Sequence, residues 1–193
     1  MRITDQDITV VFQGPVLSGP AGTAECLRRT RQVLPRSRYV LSTWRDSPVS
    51  SLDVDHVVVS EDPGGLPGIK RRDGAATPNN VNRQILSTRQ GLREAETRYA
   101  IKLRTDCSLD HASFLALYAR VQEAGTRPRI VASSLFTLDP SMFEQLPYHV
   151  SDWFQFGDTE ALLTYWSGPF MSLQDATYYE RHPHAPHATF MDR

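Results

Sequence analysis

The sequence lacks the features that mark several common classes of protein. Its 193 residues include only two cysteines. Cys26 and Cys107 lie far apart and outside any CxxC spacing, so neither a disulfide framework nor a zinc site is indicated. No apolar run approaches the roughly 20 residues of a membrane span, and the N-terminus lacks the basic flank and apolar run of a signal peptide. We therefore expect a cytoplasmic protein with reduced thiols and no transmembrane segment.

The sequence also lacks an excess of charge of either sign, because it has 21 basic and 22 acidic residues and a net charge of −1. That balance indicates no nucleic-acid partner, so any charge-driven function must be local. No GxGxxG, P-loop or GxSxG motif is present. The sequence therefore gives no motif support for a dinucleotide-dependent oxidoreductase, an ATPase or a serine hydrolase. The length predicts a single domain over residues 1–193, with its motifs within about 8–170 and an irregular tail over 171–193.

The chain does contain apolar strand-like runs that alternate with amphipathic helical segments. This order predicts an α/β sandwich in which helices flank a mainly parallel central sheet. A Gly- and Pro-rich loop with a basic cluster is expected at 63–78. The predicted strands are 8–15, 39–44, 56–62, 99–106 and 130–138. The predicted helices are 24–34 with Thr23 as N-cap, 79–95, 111–125, and 158–166 with Asp158 as N-cap.

The carboxyl ends of the strands are where a parallel sheet places its ligands. Arg104 and Asp106 end the strand in YAIKLRTD, and they offer a guanidinium fork for phosphate and a carboxylate for a cation or a sugar hydroxyl. The alternative is that the two side chains, two apart on one strand face, pair with each other or cap the next helix. The first strand ends on the same rim with Gln13, Gly14 and Pro15. Their backbone could contact a nucleotide, or they could form only an ordinary strand-to-helix turn.

Polar residues elsewhere offer further candidate sites, each with a structural alternative. Asp62 precedes Pro63 and could take a ribose or form only a turn. Asn79, Asn80, Asn82 and Arg83 open a predicted helix, whose N-terminus could receive a phosphate or be capped by an asparagine.

Two more segments carry chemistry-bearing residues. Asp152 lies between His149 and Trp153. Neighbouring aromatic rings could raise the pKa of its carboxyl group and make it a general base. The alternative is a buried aromatic cluster in which backbone donors satisfy the carboxylate. The His-rich tract 182–187 resembles a metal tract, but its prolines favour a solvated loop.

Six segments taken in series resemble one known family, the WavE lipopolysaccharide-synthesis family. They occur in the family's order and with roughly its spacing, and the resemblance extends to about residue 170. The segments are ITVVFQGPV, LSTW, VVVSEDPGG, NNVNRQILSTRQGL, YAIKLRTDCSLD and PYHVSDWFQFGDTEALL.

The resemblance implies a bacterial protein of lipopolysaccharide core or surface-polysaccharide assembly. It implies a fold like the Rossmann-like, nucleotide-sugar-binding GT-A type of glycosyltransferase. The implied partners are a nucleotide-sugar donor and a glycan or lipid-linked acceptor, with peripheral contact at the cytoplasmic face of the inner membrane. Family members usually extend beyond the length of this chain, which leaves open that part of the acceptor site lies outside it.

The resemblance also implies roles for particular residues. Gln13, Gly14, Pro15 and Asp62 would line the nucleotide site, while Asn82 and Arg83 would face the donor. Asp106 would stand for the last acid of a metal-binding DxD and hold Mg²⁺ or Mn²⁺. Arg104 would stabilise the leaving phosphate, and Asp152 would be the catalytic base on the acceptor side.

The sequence departs from the family pattern at one point, and this leaves two readings of metal use open. Where a DxD would begin with aspartate, this chain has Arg104, which could neutralise the leaving diphosphate itself. Transfer could thus be metal-assisted or metal-free.

Three hypotheses of function follow from the sequence. The first is a glycosyltransferase, and the second is a non-catalytic glycosyltransferase-like binding module, favoured by the missing first acid. The third is a sugar nucleotidyltransferase, disfavoured because no Gly-rich basic loop directly follows the first strand.

Overall fold

The computed structural model describes residues 3–68, 78–123, 125, 127–137 and 150–182, without the side chains of residues 179 and 180. A 3₁₀ turn at Asp5–Asp7 precedes the first strand. The strands are β1 Ile8–Gln13, β2 Arg38–Trp44, β3 His56–Ser60, β4 Tyr99–Arg104, β5 Val131–Ala132 and β6 Phe154–Asp158. The helices are α1 Thr23–Val33, α2 Val81–Arg93, α3 Phe114–Glu123, α4 Thr159–Tyr165, α5 Leu173–Ala176 and α6 Tyr178–Arg181.

The six strands form one sheet in the order β3-β2-β1-β4-β6-β5. The pairs β1–β2, β1–β4 and β2–β3 are parallel, whereas β4–β6 and β5–β6 are antiparallel. The predicted α/β fold is confirmed, but the prediction of a mainly parallel sheet is wrong because β6 inserts beside β4 in the opposite direction. The sheet is mixed.

The alternation of side chains along β1 and β4 divides the core into two layers. Val10, Phe12 and Ile101 point to one face, in a cluster that also contains Leu27 of α1 and Phe114 of α3. On the opposite face, Val11, Val40 and Ala100 pack with Leu92 of α2 and Leu162 of α4. The sheet is thus covered on both faces, which explains why its strands are continuous apolar runs.

Several predicted boundaries differ from the observed ones. The N-cap of α1 is Gly22, and the Thr23 hydroxyl instead accepts a hydrogen bond from the Leu17 N–H at 2.9 Å. Within the described part of the predicted strand, 130–137, only the two residues of β5 form a strand, and β6 was missed. Asp158 does occupy the N-cap position of α4, but without a side-chain capping bond.

The C-terminal part of the chain is more regular than predicted as far as it is described. Helices α5 and α6 lie within 171–182, where an irregular tail was expected. Residues 69–77 of the predicted loop, His149 and residues 183–187 of the His-rich tract lie outside the described residues. None of the described helices is long and apolar enough to cross a bilayer, the longest being the 13-residue α2.

Close packing of α2 on the sheet requires a glycine at position 91, and this gives a stability prediction. A Cβ there would lie 2.5 Å from Val11 Cγ1 and 2.9 Å from Ser42 Cβ, both in the sheet. We expect Gly91→Ala to lower the free energy of unfolding by about 1–2 kcal/mol, as overpacking outweighs the gain in helix propensity. Urea denaturation measures this. Gly168→Ala is the control, because a Cβ there meets nothing within 4 Å, and equal stability of the two variants would contradict the prediction.

Candidate functional site

A cavity of about 420 Å³ lies at the carboxyl ends of β1, β2 and β4 and at the start of α2. It is the place at which a ligand was expected from the strand order. Its lining residues are Gln13, Gly14, Pro15, Leu17, Trp44, Asp62, Asn80, Arg83, Gln84, Ser87, Arg104, Thr105 and Asp106. Seven of the residues to which the family resemblance assigned roles are among them, together with the candidate Asn80. We call this space the rim cavity.

The end of β1 forms the floor of the rim cavity and needs a glycine. Gly14 has φ +122°, a conformation that side-chain-bearing residues rarely adopt, and a Cβ there would meet Thr105 Oγ1 at 3.2 Å. Gln13 is buried and its Oε1 accepts a hydrogen bond from the Ser87 hydroxyl at 2.7 Å. The Thr105 hydroxyl donates to the Pro15 carbonyl at 2.7 Å. The Gly14 N–H donates to the Ser42 carbonyl at 3.0 Å, so the backbone at the end of β1 is fixed by its neighbours.

Arg104 and Asp106 form a two-pronged ion pair in the rim cavity. Nε and Nη2 of Arg104 donate to Oδ1 and Oδ2 of Asp106 at 2.9 and 2.6 Å, and the guanidinium lies 5.3 Å from the centre of the Trp153 ring. Burial opposes ionisation of Asp106, but the hydrogen bonds and charge of Arg104 outweigh it and hold the pKa of the carboxyl below its usual value. The alternative foreseen from the sequence, pairing of the two side chains, is therefore present, yet each is still one-third exposed and lines the cavity.

Asp62 and Arg83 form a second pair of the same kind on the opposite wall. Arg83 donates from Nε and Nη2 to the two carboxylate oxygens, each at 2.7 Å. Hydrogen bonding by Arg83 keeps the pKa of Asp62 below its ordinary value. Asp62 also closes the predicted turn by accepting the Gly64 N–H. Two arginines and two aspartates thus cancel in charge, so the cavity does not repel an anion.

One face of α2 contributes residues that the sequence reasoning passed over. Gln84 and Ser87 line the rim cavity with Asn80 and Arg83. Their spacing of three and four along the helix is the signal that places them on one face.

Asn82, predicted to face the donor, does not line the cavity. Its side chain donates to the Met171 carbonyl at 2.9 Å and accepts the Met171 N–H at 2.8 Å. Adjacent helix residues point about 100° apart, so Arg83 and Asn82 face different neighbours. Asn82 therefore holds the C-terminal segment against α2.

The described residues do not fit a divalent metal held by protein ligands. Such a cation takes several oxygen ligands. In the rim cavity, both oxygens of Asp106 and both of Asp62 are already bound by arginine. Within the described ranges no three His, Cys, Asp or Glu side chains gather in one place. The metal-ligand role predicted for Asp106 therefore has no supporting ligands in this part of the chain.

Lys102 was not singled out from the sequence, yet it is wholly buried. Its ammonium donates to the backbone carbonyl of Asp152, lies 3.7 Å from Asp152 Oδ2 and 5.2 Å from the centre of the Trp166 ring. Burial lowers the pKa of Lys102 to about 8, against the opposing pull of the Asp152 charge. Asp152, the predicted base, lies outside the rim cavity and serves as the counter-ion of Lys102.

This burial predicts a pH dependence of stability. The folded-state pKa of Lys102 is below its ordinary value, so the unfolded chain binds more protons between about pH 8 and 10.5 and stability from this group rises with pH in that window. Relative to Lys102→Met, the wild type should gain about 1 kcal/mol of unfolding free energy between pH 7 and pH 9. Urea denaturation at the two pH values measures the difference. An unchanged difference would show that Lys102 is not buried as a cation.

Comparison with known proteins places the chain in a family. The family model described as WavE lipopolysaccharide synthesis matches residues 8–190. No curated protein matches the sequence. Among solved structures, the fold is similar to 4-diphosphocytidyl-2C-methyl-D-erythritol synthase from Anaerococcus prevotii, with 12% sequence identity and a TM-score of 0.40 over 91% of this chain and 83% of that chain.

Proposed function

The chain belongs to the WavE lipopolysaccharide synthesis family, and from that premise we propose that it is a glycosyltransferase acting on a nucleotide-sugar donor. The acceptor in this proposal is a lipopolysaccharide core or other bacterial surface glycan. Family membership ties the chain to lipopolysaccharide synthesis, whereas the transfer reaction and the residue roles are our inference.

The observation that carries the proposal is the rim cavity itself. It brings two guanidinium groups, Arg104 and Arg83, beside the end of β1 at the carboxyl edge of an α/β sheet, where Gly14 carries no side chain. Arg104 uses only Nε and Nη2 on its aspartate, and Arg83 donates to Asp62 and also from Nη1 to Asn80 Oδ1 at 2.8 Å. A guanidinium has five N–H groups, and those left over on each arginine suit phosphate oxygens. A nucleoside diphosphate matches these two forked cations at the end of the first strand.

The same geometry suggests how this chain's residues would serve transfer. An acceptor hydroxyl oxygen attacks the anomeric carbon, and the bond from that carbon to the phosphate oxygen breaks. The departing diphosphate gains negative charge, which Arg104 is placed to stabilise, while Asp106 fixes the Arg104 guanidinium in orientation. In an inverting reaction the hydroxyl proton passes to the carboxylate of Asp152.

The test is turnover of the donor by the purified chain. Panels of UDP-, GDP- and dTDP-sugars are incubated with it, and release of nucleoside diphosphate is followed, with bacterial lipopolysaccharide core oligosaccharide as acceptor. The proposal predicts release from at least one donor, stimulated by the acceptor. Binding without release under any condition would instead support the non-catalytic module, for which the complete pairing of both rim carboxylates is the favouring observation.

A further inference from the structure

A second cavity of about 410 Å³ lies between α2, α4 and the segment that leads into β6. Its apolar side is formed by Val81, Ile85, Val150 and the two rings of Tyr165 and Trp166. These rings meet edge to face, with centroids 5.5 Å apart and an interplanar angle of 81°. Tyr165 is half exposed, so its ring is open to a ligand. We call this space the aromatic cavity.

Polar groups in the aromatic cavity are few, and the side chains of two of them make no hydrogen bond among the described residues. Asp152 Oδ2 is buried and has no hydrogen-bond partner among the described residues. The side-chain amide of Gln84 likewise bonds to no described side chain or backbone group. By contrast, Gln155 is satisfied, since it accepts from the Trp166 indole N–H at 2.7 Å and donates to the Ser151 carbonyl. Asp152 Oδ2 faces the Lys102 ammonium at 3.7 Å, but the Asp152 side chain as a whole is 26% exposed. The exposed part of that carboxylate and the Gln84 amide are therefore available on an otherwise apolar wall.

Charge in the aromatic cavity selects against ions. Asp152 is the one ionised group among the residues that line it. Lys102, buried directly behind that carboxylate, supplies the opposite charge. A cation gains little from a carboxylate that is already paired with Lys102, and an anion finds no positively charged side chain among the lining residues. A neutral ligand with hydroxyl groups and an apolar ring face matches the aromatic, carboxylate and amide lining.

The two cavities share Gln84, which lines both of them. A sugar ring bound in the aromatic cavity would therefore lie beside a nucleotide-sugar bound in the rim cavity. It would also lie next to Asp152, the carboxylate proposed to take the acceptor proton. The geometry points to the aromatic cavity as the binding site for a neutral sugar ring, the terminal residue of the acceptor glycan. Identification of that sugar as the acceptor rests on the proposed transferase function, whereas the cavity as a carbohydrate site does not.

The experiment uses simple glycosides as probes and nuclear magnetic resonance as the readout. The ¹⁵N-labelled chain is titrated with methyl glycosides of glucose, galactose and mannose, and with methyl glucuronide as an anionic analogue. We expect a neutral glycoside to shift the Trp166 indole N–H and the Gln84 side-chain amide saturably, in the millimolar range. Methyl glucuronide should bind at least several-fold more weakly, because its carboxylate faces Asp152.

Matched variants test the role of the aromatic ring. Tyr165→Ala should weaken glycoside binding by roughly 5–10-fold, on the order of one aromatic contact. Tyr165→Phe keeps the ring and should bind within about twofold of the wild type. Tyr178→Ala, a comparably exposed tyrosine outside the cavity, should also bind as the wild type does. Absence of a saturable shift with every glycoside, or an unchanged affinity in Tyr165→Ala, would overturn the inference.

A parallel titration with UDP and GDP separates this inference from the proposed function. Shifts of the Gly14 amide by a nucleotide, with no glycoside binding, would leave the transferase standing and remove the aromatic cavity as a sugar site. Glycoside binding without any nucleotide response would support the carbohydrate site and count against the transferase.

Discussion

Arg104→Gln should reduce nucleotide-sugar turnover by roughly 100–1000-fold, the loss typical of removing one preorganised group that stabilises developing charge. The guanidinium is oriented by Asp106 through two hydrogen bonds and lies over the Trp153 ring. Glutamine removes both the positive charge and the fork, and it leaves the Asp106 carboxylate uncompensated beside the diphosphate. The loss should therefore appear mainly in kcat and in nucleoside diphosphate affinity. Steady-state kinetics of diphosphate release measure both.

Two controls separate this effect from general damage. Arg104→Lys keeps the charge but not the planar fork, and we expect an intermediate loss. Arg28→Gln breaks an exposed two-pronged pair with Glu25, at 2.8 and 2.7 Å, on α1 and away from the rim cavity. It should retain turnover within about twofold. If Arg104→Gln turns over as fast as Arg28→Gln, Arg104 does not act on the leaving group.

Asp152→Asn should have two measurable consequences, one on stability and one on turnover. Lys102 is fully buried and would lose the one carboxylate that pairs with it among the described residues. We expect the unfolding free energy at pH 7 to fall by about 2–3 kcal/mol, below the usual range for breaking a buried pair because Asp152 is itself 26% exposed. The deficit should shrink at pH 9, where Lys102 more readily loses its proton. If Asp152 is also the base, turnover falls by about 100-fold or more.

A double variant distinguishes the two roles of Asp152. Lys102→Met combined with Asp152→Asn removes both charges and should recover most of the lost stability. Turnover should stay low in that variant if Asp152 takes the acceptor proton. Recovery of turnover together with stability would show that Asp152 serves only as a counter-ion.

The position of the rim cavity was predictable from the sequence, and the reason is local. Gln13, Arg104 and Asp106 each end or follow an apolar run, and neighbouring strands that run the same way bring their carboxyl ends to one edge. The pairing of Arg104 with Asp106 was one of the alternatives offered by the sequence, although Asp106 lies in the turn after β4 and not on the strand itself. These features need only the order of elements and the period of each one.

The remaining features depend on contacts between distant segments. Lys102 received no role from the sequence, because only the fold brings Trp166 over it and brings Asp152, from the segment before β6, to it. Strand β6 was missed because its five residues contain Gly157, whose Cβ position would lie 3.1 Å from the Arg129 carbonyl oxygen. Such a glycine reads as a turn in the sequence, although here it permits close approach of backbone.

The most direct test of the central claim is a binding measurement at the rim cavity. UDP-, GDP-, CMP- and dTDP-sugars are screened by thermal shift, with Mn²⁺ and with EDTA, against the wild type and Arg104→Gln, because a ligand that binds the folded state raises Tm by mass action. We predict that at least one nucleoside diphosphate sugar raises Tm in the wild type, still does so in EDTA, and has little effect on Arg104→Gln. No shift with any nucleotide sugar, or an equal shift in Arg104→Gln, would contradict the account.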